Sequence, residues 1–225
     1  MIAQFNQRTF RTAEVVSELA TWDWIEGGEA RFLGQIQNEI RCGKILEIGV
    51  GAGRMVPRLS SAAKSYIGID YSPEMVDICR KRFPSVPFLC ADARNLSQFQ
   101  NESFALVVFS FNGIDYMSNS ERLQVLGEVW RVLAAGGFFL FSSHNLESPL
   151  YRRQSPGVAE SSPQYAIVRE KTHNFLYLCY YATRVEVRRQ LLAAGFKKTI
   201  ECCDRDGMKP ANDLRSGWLH YLARK

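Results

Sequence analysis

Short, continuous apolar runs alternate with longer amphipathic stretches through the middle of the chain. A strand of a parallel sheet is covered on both faces and is apolar along its length, whereas a covering helix is apolar on one side only. The alternation therefore predicts a doubly wound α/β fold with helices on both faces of the sheet. The predicted strands are Lys44–Ile48, Ser65–Asp70, Pro87–Ala91, Ala105–Phe111 and Gly137–Ser142.

Capping residues mark the starts of three helices. A Ser before a Pro places a cap ahead of the first helical position, and a Ser or Thr followed three residues later by Glu has capping-box spacing. These signals are Ser72-Pro73, Ser118-x-x-Glu121 and Thr183-x-x-Glu186.

Apolar spacing and glycines complete the helical picture. After the second start, Leu123, Leu126, Trp130 and Leu133 recur at helical intervals and predict a buried face. Gly136 and Gly195 stand where a left-handed residue would end a helix.

Two regions depart from the alternation of strands and helices. An N-terminal helical segment, 1–40, carries apolar residues on one side of Glu29–Ile40 and is expected to pack beside the first strand. Residues 144–182 form an insertion after the fifth strand, with a hairpin turn predicted at Thr172-His173-Asn174. We interpret residues 1–225 as a single domain in which 144–182 is an inserted acceptor-binding cap.

Composition narrows the class of protein without naming its function. The chain of 225 residues is 46% hydrophobic and 23% charged, which suits one globular domain. The net charge of +5 comes from dispersed basic residues, so a nucleic-acid partner is not favoured. The six cysteines lack zinc or disulfide spacing, no signal peptide is evident, and the apolar runs are too short to span a membrane. A cytoplasmic protein without a metal is expected.

The first predicted strand runs into a glycine-rich turn with Gly49, Gly51 and Gly53. Glycines there let the backbone approach a ligand closely, but Arg54 stands where the dinucleotide fingerprint would need its third glycine. Glu47 lies two residues before the turn, where its carboxylate would attract a cationic amino group and repel a pyrophosphate. The pattern favours an amino-acid-like ligand over a nicotinamide dinucleotide.

Two more carboxylates stand at the ends of predicted strands. Asp70 ends the second strand and Asp92 follows the third, so with Glu47 they share the carboxyl edge of a parallel sheet. A carboxylate such as Asp70 can accept both hydroxyls of a ribose. An ammonium group, a ribose and an exocyclic amine would satisfy the three acids, and S-adenosylmethionine contains all three groups.

The segment from about Arg41 to Asn145 resembles the core of the class I S-adenosylmethionine-dependent methyltransferases, with their motifs in family order. The resemblance implies a Rossmann-like sheet of seven strands, mostly parallel with the last strand antiparallel, and a closing hairpin at Phe196–Cys203 and Gly217–Ala223. It implies S-adenosylmethionine as cofactor and S-adenosylhomocysteine as product. The cofactor-binding residues that it implies are Glu47, Gly49, Gly51, Gly53, Asp70, Tyr71, Met75, Asp92, Ala93, Phe109 and Phe111.

Methyl transfer from a sulfonium needs alignment and exclusion of water more than it needs a nucleophilic side chain. A general base helps a hydroxyl acceptor and is dispensable for a deprotonated amine. His144 and Tyr116 are the catalytic candidates, because both follow strands at the ligand edge. A histidine bonded to backbone and a packing tyrosine are the alternative interpretations.

Acceptor specificity is expected where the chain departs from the shared core. The insertion offers Phe175 and Tyr180 as further aromatic faces and Arg152, Arg153, Arg169 and Lys171 as positive charges, which favours an acidic or sugar-like metabolite. The predicted acceptor-binding residues are Trp22, Trp24, Asn112, Asp115, Asn145, Tyr177 and Tyr181.

The resulting hypothesis is a methyltransferase acting on an oxygen or nitrogen atom of a small polar metabolite by direct displacement. An RNA methyltransferase is one alternative, although Ser110-Phe111-Asn112-Gly113 stands where enzymes that methylate base amines carry Asp/Asn-Pro-Pro-aromatic. A non-catalytic module that binds S-adenosylmethionine is the other. The sequence leaves the acceptor and the oligomeric state open.

Overall fold

In the computed structural model, the described residues form one sheet of ten strands. Its central order is β3-β2-β1-β4-β5, continued on one side by β8-β7-β6, while β10 pairs with β5 and with β9. The strands are β1 Lys44–Ile48, β2 Ser65–Asp70, β3 Phe88–Cys90, β4 Phe104–Phe109, β5 Leu133–Asn145, β6 Val158–Ser161, β7 Tyr165–Thr172, β8 Phe175–Ala182, β9 Ile200–Asp204 and β10 Trp218–Arg224. The structure describes residues 2–149, 151, 158–162, 164–172, 175–196, 200–207 and 216–225.

The five central strands are parallel, as predicted. Strands β1 and β2 have the predicted bounds, and β3 is shorter at both ends. Strand β4 ends at Phe109, because Phe111 and Asn112 leave the extended conformation with φ of 50° and 57°. Strand β5 is longer than predicted, because the antiparallel partner β10 follows it from Phe138 to His144.

The sheet has more strands than the seven predicted, because the insertion adds strands to it. Strands β6, β7 and β8 pair in antiparallel fashion with one another, and β8 joins the main sheet beside β5 through Tyr181 and Ala182. The pairing of Thr172 with Phe175 confirms the predicted hairpin, whose residues 173–174 lie outside the described part. The insertion therefore extends the sheet, as well as contributing residues near its carboxyl edge.

Helices cover both faces of the sheet. The Ser72 cap, the Ser118 capping box and the Thr183 cap all form as predicted. The helices are α1 Ile2–Thr9, α2 Ala13–Leu19, α3 Gly27–Ile40, α4 Val56–Ala62, α5 Pro73–Arg82, α6 Asn119–Val132 and α7 Arg184–Ala193, and a 3₁₀ helix spans Gly113–Tyr116.

The buried face of helix α6 matches the prediction only in part: Leu126 and Leu133 are buried as predicted. Trp130 is 37% exposed, whereas Arg122 and Val125 are fully buried. Of the two predicted helix ends, Gly195 follows α7 with φ of 109°, but Gly136 lies inside β5. Helix α6 has already ended at Val132 because the chain enters the sheet there.

Successive strand residues enter two separate cores. In β1, Ile45 packs with α3 on one face of the sheet, and Leu46 packs with α6 on the other. In β4, Leu106 and Val107 divide in the same way. This two-sided burial explains the continuous apolar runs of the sequence. Throughout the described residues, each helix is too short or too polar to cross a membrane.

Candidate functional site

A cavity of about 750 Å³ opens at the carboxyl edge of the central strands, a size typical of small-molecule sites. The glycine-rich turn after β1 forms part of its wall. Gly51 has φ of 53°, and a Cβ built there would meet no atom of the described protein within 4 Å. Gly49 and Gly53 also have positive φ, but a Cβ would clash with Phe109 and Phe83 respectively. Gly51 therefore leaves open space for a ligand, whereas the other two permit close packing of the turn.

Glu47 lines this cavity with only 1% of its surface exposed. Its Oε2 accepts a hydrogen bond of 2.5 Å from the Tyr66 hydroxyl. Burial raises the pKa of Glu47 to about 8, although this hydrogen bond and the charge of Arg54 act in the opposite direction. A cation bound beside Glu47 would stabilise its ionised form.

Asp70 ends β2 beside the turn. Its two carboxylate oxygens accept hydrogen bonds of 2.9 Å from the backbone amides of Gly51 and Ser72. Burial raises the pKa of Asp70 to about 6 despite these bonds. Each carboxylate oxygen retains a further lone pair with which it could accept a ligand hydroxyl.

Asp92 reaches the cavity, but its carboxylate is already engaged. Arg94 donates to both oxygens, at 2.6 to 3.1 Å, and also pairs with Glu121. Burial alone would raise the pKa of Asp92, but the hydrogen bonds from Arg94 leave it lowered. An adenine-binding role for Asp92 therefore stays a prediction, and any ligand amine would share the carboxylate with Arg94.

Other predicted cofactor residues also line the cavity. Tyr71, Met75, Ala93, Phe109 and Phe111 all contribute to the lining. Within the described part of the chain, the buried hydroxyl of Tyr71 has no hydrogen-bond partner. Such a group is costly to leave unpaired, so it indicates a place where a ligand could bind.

His144 lies in the cavity wall at the end of β5, with Asp115 directly behind it. Its Nδ1 is 2.8 Å from Asp115 Oδ2, and the backbone amide of His144 donates to the same oxygen at 2.6 Å. When the Nδ1 proton of the neutral imidazole points toward Asp115, Nε2 is the nitrogen that can accept a proton. Nε2 lies 3.5 Å from Asn112 Nδ2, at the long limit for a hydrogen bond.

Asp115 is held from its other side by a buried arginine. Its Oδ1 accepts hydrogen bonds from Arg122 and from the Ser143 hydroxyl. Neither the carboxylate nor the guanidinium has any exposed side-chain surface. The ion pair holds the Asp115 carboxylate in place, so that it can orient the imidazole of His144.

Cys179 adds a thiol to this cluster, with Sγ 3.0 Å from His144 Nδ1. One ligand atom each from Asp115, His144 and Cys179 lie within 4.8 Å of one another, an arrangement that could hold a metal ion. The Arg122 guanidinium that already binds Asp115 would oppose a second cation there. The arrangement therefore favours a hydrogen-bonded base over a metal site.

Aromatic rings surround His144. The ring of Tyr181 is 4.7 Å and that of Trp218 is 6.2 Å from the imidazole, measured between centroids. Trp218 leads on to Phe111 at 6.2 Å, and Phe111 to Trp22 at 4.8 Å. This part of the cavity therefore offers flat apolar faces.

Several of the predicted site residues, whether assigned to acceptor, catalysis or cofactor, lie in the cavity wall and others do not. Trp22, Asn112, Tyr116, Tyr177 and Tyr181 are in the lining. Trp24, Asp115, Asn145 and Gly53 lie outside the lining. Trp24 packs on Phe111, and Asp115 lies behind His144. The side-chain amide of Asn145 donates to the Ser216 carbonyl.

The positive charge predicted for the acceptor region is not found in the described lining. Tyr180 is buried in the core, and Arg169 is exposed outside the cavity. Arg152 and Arg153 and the side chains of Lys171 and Phe175 lie outside what the structure describes. The arginines that do line the described cavity, Arg54 and Arg94, are bound to carboxylates.

The sequence did not predict a role in the site for Arg54, Arg122 or Trp218. Arg54 is paired with buried Glu29 and lies over the rings of Trp24 and Phe111. Its place in the glycine motif was a usable signal. Trp218 had none, because its neighbour His144 is distant in sequence. Arg122 had none either, because its local pattern does not show that the side chain is buried against Asp115, seven residues earlier.

Comparison with known proteins agrees with this geometry. Residues 45–137 match the family described as a methyltransferase domain. The chain is 33% identical over 118 residues to the demethylmenaquinone methyltransferase of Chlorobaculum tepidum. The matched region covers 52% of this chain and 46% of that protein. It is 35% identical over 94 residues to an uncharacterised methyltransferase-like protein of Schizosaccharomyces pombe, covering 41% and 35% respectively. The chain thus spans less than half the length of these curated relatives.

Solved structures share the fold over most of the chain. An S-adenosylmethionine-dependent methyltransferase from Clostridium acetobutylicum has a TM-score of 0.68 at 16% identity, covering 87% of this chain and 89% of that one. A glycopeptide N-methyltransferase complexed with S-adenosylhomocysteine has a TM-score of 0.64 at 17% identity, covering 95% and 98%.

The matched segment and the shared fold support a class I S-adenosylmethionine-dependent methyltransferase family for this chain. S-adenosylmethionine is the cofactor of this family, and the cavity fits it on independent grounds. The unpaired Tyr71 hydroxyl, the open space above Gly51 and the buried carboxylates of Glu47 and Asp70 suit a ligand with polar hydrogens and a positive charge.

Proposed function

We propose that this protein transfers a methyl group from S-adenosylmethionine to a hydroxyl oxygen of a small-molecule acceptor. The observation that carries the oxygen assignment is the His144–Asp115 pair in the wall of the cavity that the glycine turn also lines. An amine acceptor that arrives deprotonated needs no such base, whereas a hydroxyl must lose a proton.

The cofactor would be held by the residues at the carboxyl ends of β1 and β2. Glu47 would bind the ammonium of its methionine part, and Asp70 would accept hydrogen bonds from its ribose hydroxyls. Gly51 supplies the space for this close approach, and the Tyr71 hydroxyl supplies a further polar contact. When bound, S-adenosylmethionine supplies a methyl carbon on a positively charged sulfur that leaves as a neutral thioether.

The chain contributes alignment, a dry environment and proton acceptance. The aromatic rings around His144 exclude water from the acceptor hydroxyl. His144 Nε2 accepts the hydroxyl proton while the oxygen forms its new bond to carbon and the old carbon–sulfur electron pair stays on sulfur. Asp115 stabilises the imidazolium that results, and Arg122 and Ser143 keep Asp115 in place.

A small-molecule acceptor is supported by the size of the cavity and by two curated relatives, which are named as demethylmenaquinone and phthiotriol dimycocerosates methyltransferases. A methyl-tritium transfer assay with mixed cell metabolites and, separately, with RNA tests the proposal. Label in small molecules is expected. Label in RNA would place the acceptor in another class, and S-adenosylhomocysteine binding without any labelled product would contradict catalysis.

The base role makes a sharper prediction. Replacing His144 with Gln should lower turnover of a hydroxyl acceptor about 10²-fold or more, because the proton then has no acceptor at the reacting oxygen. Calorimetry should show little change in S-adenosylhomocysteine affinity.

His220 provides a matched control for this substitution. It is also buried, at 1% exposure, and lies 3.1 Å from the Glu26 carboxylate, but it is absent from the cavity lining. His220→Gln should keep turnover within a few-fold of wild type when the protein is folded. Wild-type turnover of a hydroxyl acceptor by His144→Gln would remove the base role.

A further inference from the structure

Asn112 combines three unusual features at one point of the cavity wall. It is 3% exposed, and none of the residues that the structure describes gives its Oδ1 a hydrogen-bond partner. Its backbone is left-handed, with φ of 57°. Its Nδ2 is 3.5 Å from His144 Nε2, the nitrogen assigned as the proton acceptor. A buried amide oxygen without a partner is costly, so its retention beside a base indicates that a ligand donates to it.

The backbone around Asn112 is held in this conformation by other contacts. Phe111 is also left-handed, with φ of 50°, which is rare for an aromatic residue and strains the backbone. The amide of Asn112 donates to the buried hydroxyl of Ser142 at 2.8 Å. The turn thereby presents the Phe111 ring and the Asn112 amide to the same cavity.

Flat apolar surfaces lie on both sides of this polar pair. Tyr181 and Trp218 flank His144, and Phe111 continues the surface from Trp218. Trp218 is fixed because its indole nitrogen donates to Glu26 at 3.1 Å. An aromatic ring gains contact and quadrupole interactions from such walls that a saturated ring of the same size lacks.

From this juxtaposition we propose that the methyl acceptor is an aromatic compound with two adjacent hydrogen-bond donors, of which a 1,2-dihydroxybenzene is the simplest. The hydroxyl to be methylated meets His144 Nε2, and its neighbour donates to Asn112 Oδ1. The ring lies among Phe111, Trp218 and Tyr181. This inference deepens the hydroxyl-methylation function proposed above and rests on it.

Initial rates with radiolabelled S-adenosylmethionine test the acceptor class. Four acceptors separate the requirement for an aromatic ring from the requirement for a second hydroxyl: catechol, phenol, cis-1,2-cyclohexanediol and cyclohexanol. We expect kcat/KM for catechol to exceed that for phenol about tenfold, because phenol leaves Asn112 Oδ1 unpaired. The saturated alcohols should be poorer than either aromatic compound. Saturated alcohols methylated as fast as aromatic ones would overturn the aromatic assignment.

Substitutions at Asn112 test the second contact. Asn112→Gly removes the amide while tolerating the left-handed backbone, so it should reduce the preference for catechol over phenol to about twofold or less. Asn112→Asp keeps an acceptor oxygen and should retain the preference. S-adenosylhomocysteine affinity should be unchanged in both variants. A preference that survives in Asn112→Gly would overturn the role of the amide.

A binding measurement separates this inference from the function on which it rests. Catechol is titrated into the S-adenosylhomocysteine complex of a Trp130→Phe protein, which removes a tryptophan remote from the cavity lining, and indole fluorescence is followed. Saturable quenching by catechol but not by the diol supports the aromatic site. Quenching without any labelled product would overturn hydroxyl methylation alone, whereas labelled aliphatic products without quenching would overturn the aromatic site alone.

Discussion

At the scale of single residues, Glu47 is placed where it opposes folding and favours ligand binding. Burial raises the pKa of Glu47 to about 8, while an unfolded chain titrates it near ~4.3. Between pH ~4.3 and about 8, the folded protein therefore keeps a proton on Glu47 that the unfolded chain has lost. Stability from this group is present at low pH and is lost as the pH rises through this window to about 8.

Replacing Glu47 with Gln removes this loss and keeps an oxygen for the Tyr66 hydroxyl. We expect the ligand-free variant to melt about 3 °C or more above wild type at pH 8 and close to wild type at pH 5. Its affinity for S-adenosylmethionine should fall about tenfold or more, because the ammonium loses its carboxylate. Thermal denaturation and calorimetry measure the two effects.

Glu39 is the control, since it is an exposed glutamate on α3 far from the cavity lining. Glu39→Gln should change neither the free energy of unfolding nor the free energy of S-adenosylmethionine binding by more than a few tenths of a kcal/mol. Parallel pH–stability curves for wild type and Glu47→Gln would show that burial of Glu47 does not affect folding in this way.

At the scale of elements, the turn between β1 and α4 lines the part of the cavity to which we assign the cofactor. Gly51 and Gly127 both offer free space for a Cβ, but Gly51 is left-handed in the turn and Gly127 lies in α6. Gly51→Ala should cost about 1–2 kcal/mol of stability and lower cofactor affinity more than tenfold, because the methyl group adds strain and fills ligand space.

Gly127→Ala is the matched change in a helix and should stabilise the protein by about 0.5–1 kcal/mol with cofactor affinity unchanged. Denaturant unfolding and calorimetry compare the pair. If folded Gly51→Ala binds S-adenosylhomocysteine as wild type does, the ligand does not occupy the space above this turn.

At the scale of the whole molecule, the insertion and the core divide the site between them. Strands β1 and β2 and the turns after them supply the lining residues to which we assign the cofactor, and Tyr151, Tyr177 and Tyr181 of the insertion supply other parts of the lining. Shortening the insertion should therefore separate methyl transfer from cofactor binding.

The structure shows where to shorten it. The Leu146 amide donates to the Ala182 carbonyl and the Thr183 amide donates to the Gln164 carbonyl, so residues 146 and 164 are brought near each other. Replacing residues 149–162 with a short Gly-Ser linker also keeps the Glu147–Arg184 ion pair. Cofactor affinity should stay within about threefold of wild type, and transfer should fall at least tenfold. Wild-type transfer by the shortened protein would move the acceptor out of this region.

Local sequence was sufficient for the central sheet and for the meeting of Glu47 and Asp70 at its carboxyl edge. Apolar runs defined β1 and β2 to the residue, and parallel strands necessarily bring their carboxyl ends to one edge, so Glu47 and Asp70 could be placed together. The engagement of Asp92 by Arg94, two residues later, was also within reach of sequence reasoning.

Tertiary structure alone decided what surrounds His144. Asp115 and His144 are 29 residues apart and meet because β4 and β5 are neighbours, and the buried position of Arg122 makes Asp115 an orienting group rather than a ligand for the acceptor. Trp218 reaches the imidazole through the antiparallel register that pairs it with His144. Register and long-range ion pairs depend on how distant segments pack, so no local pattern in the chain encodes them.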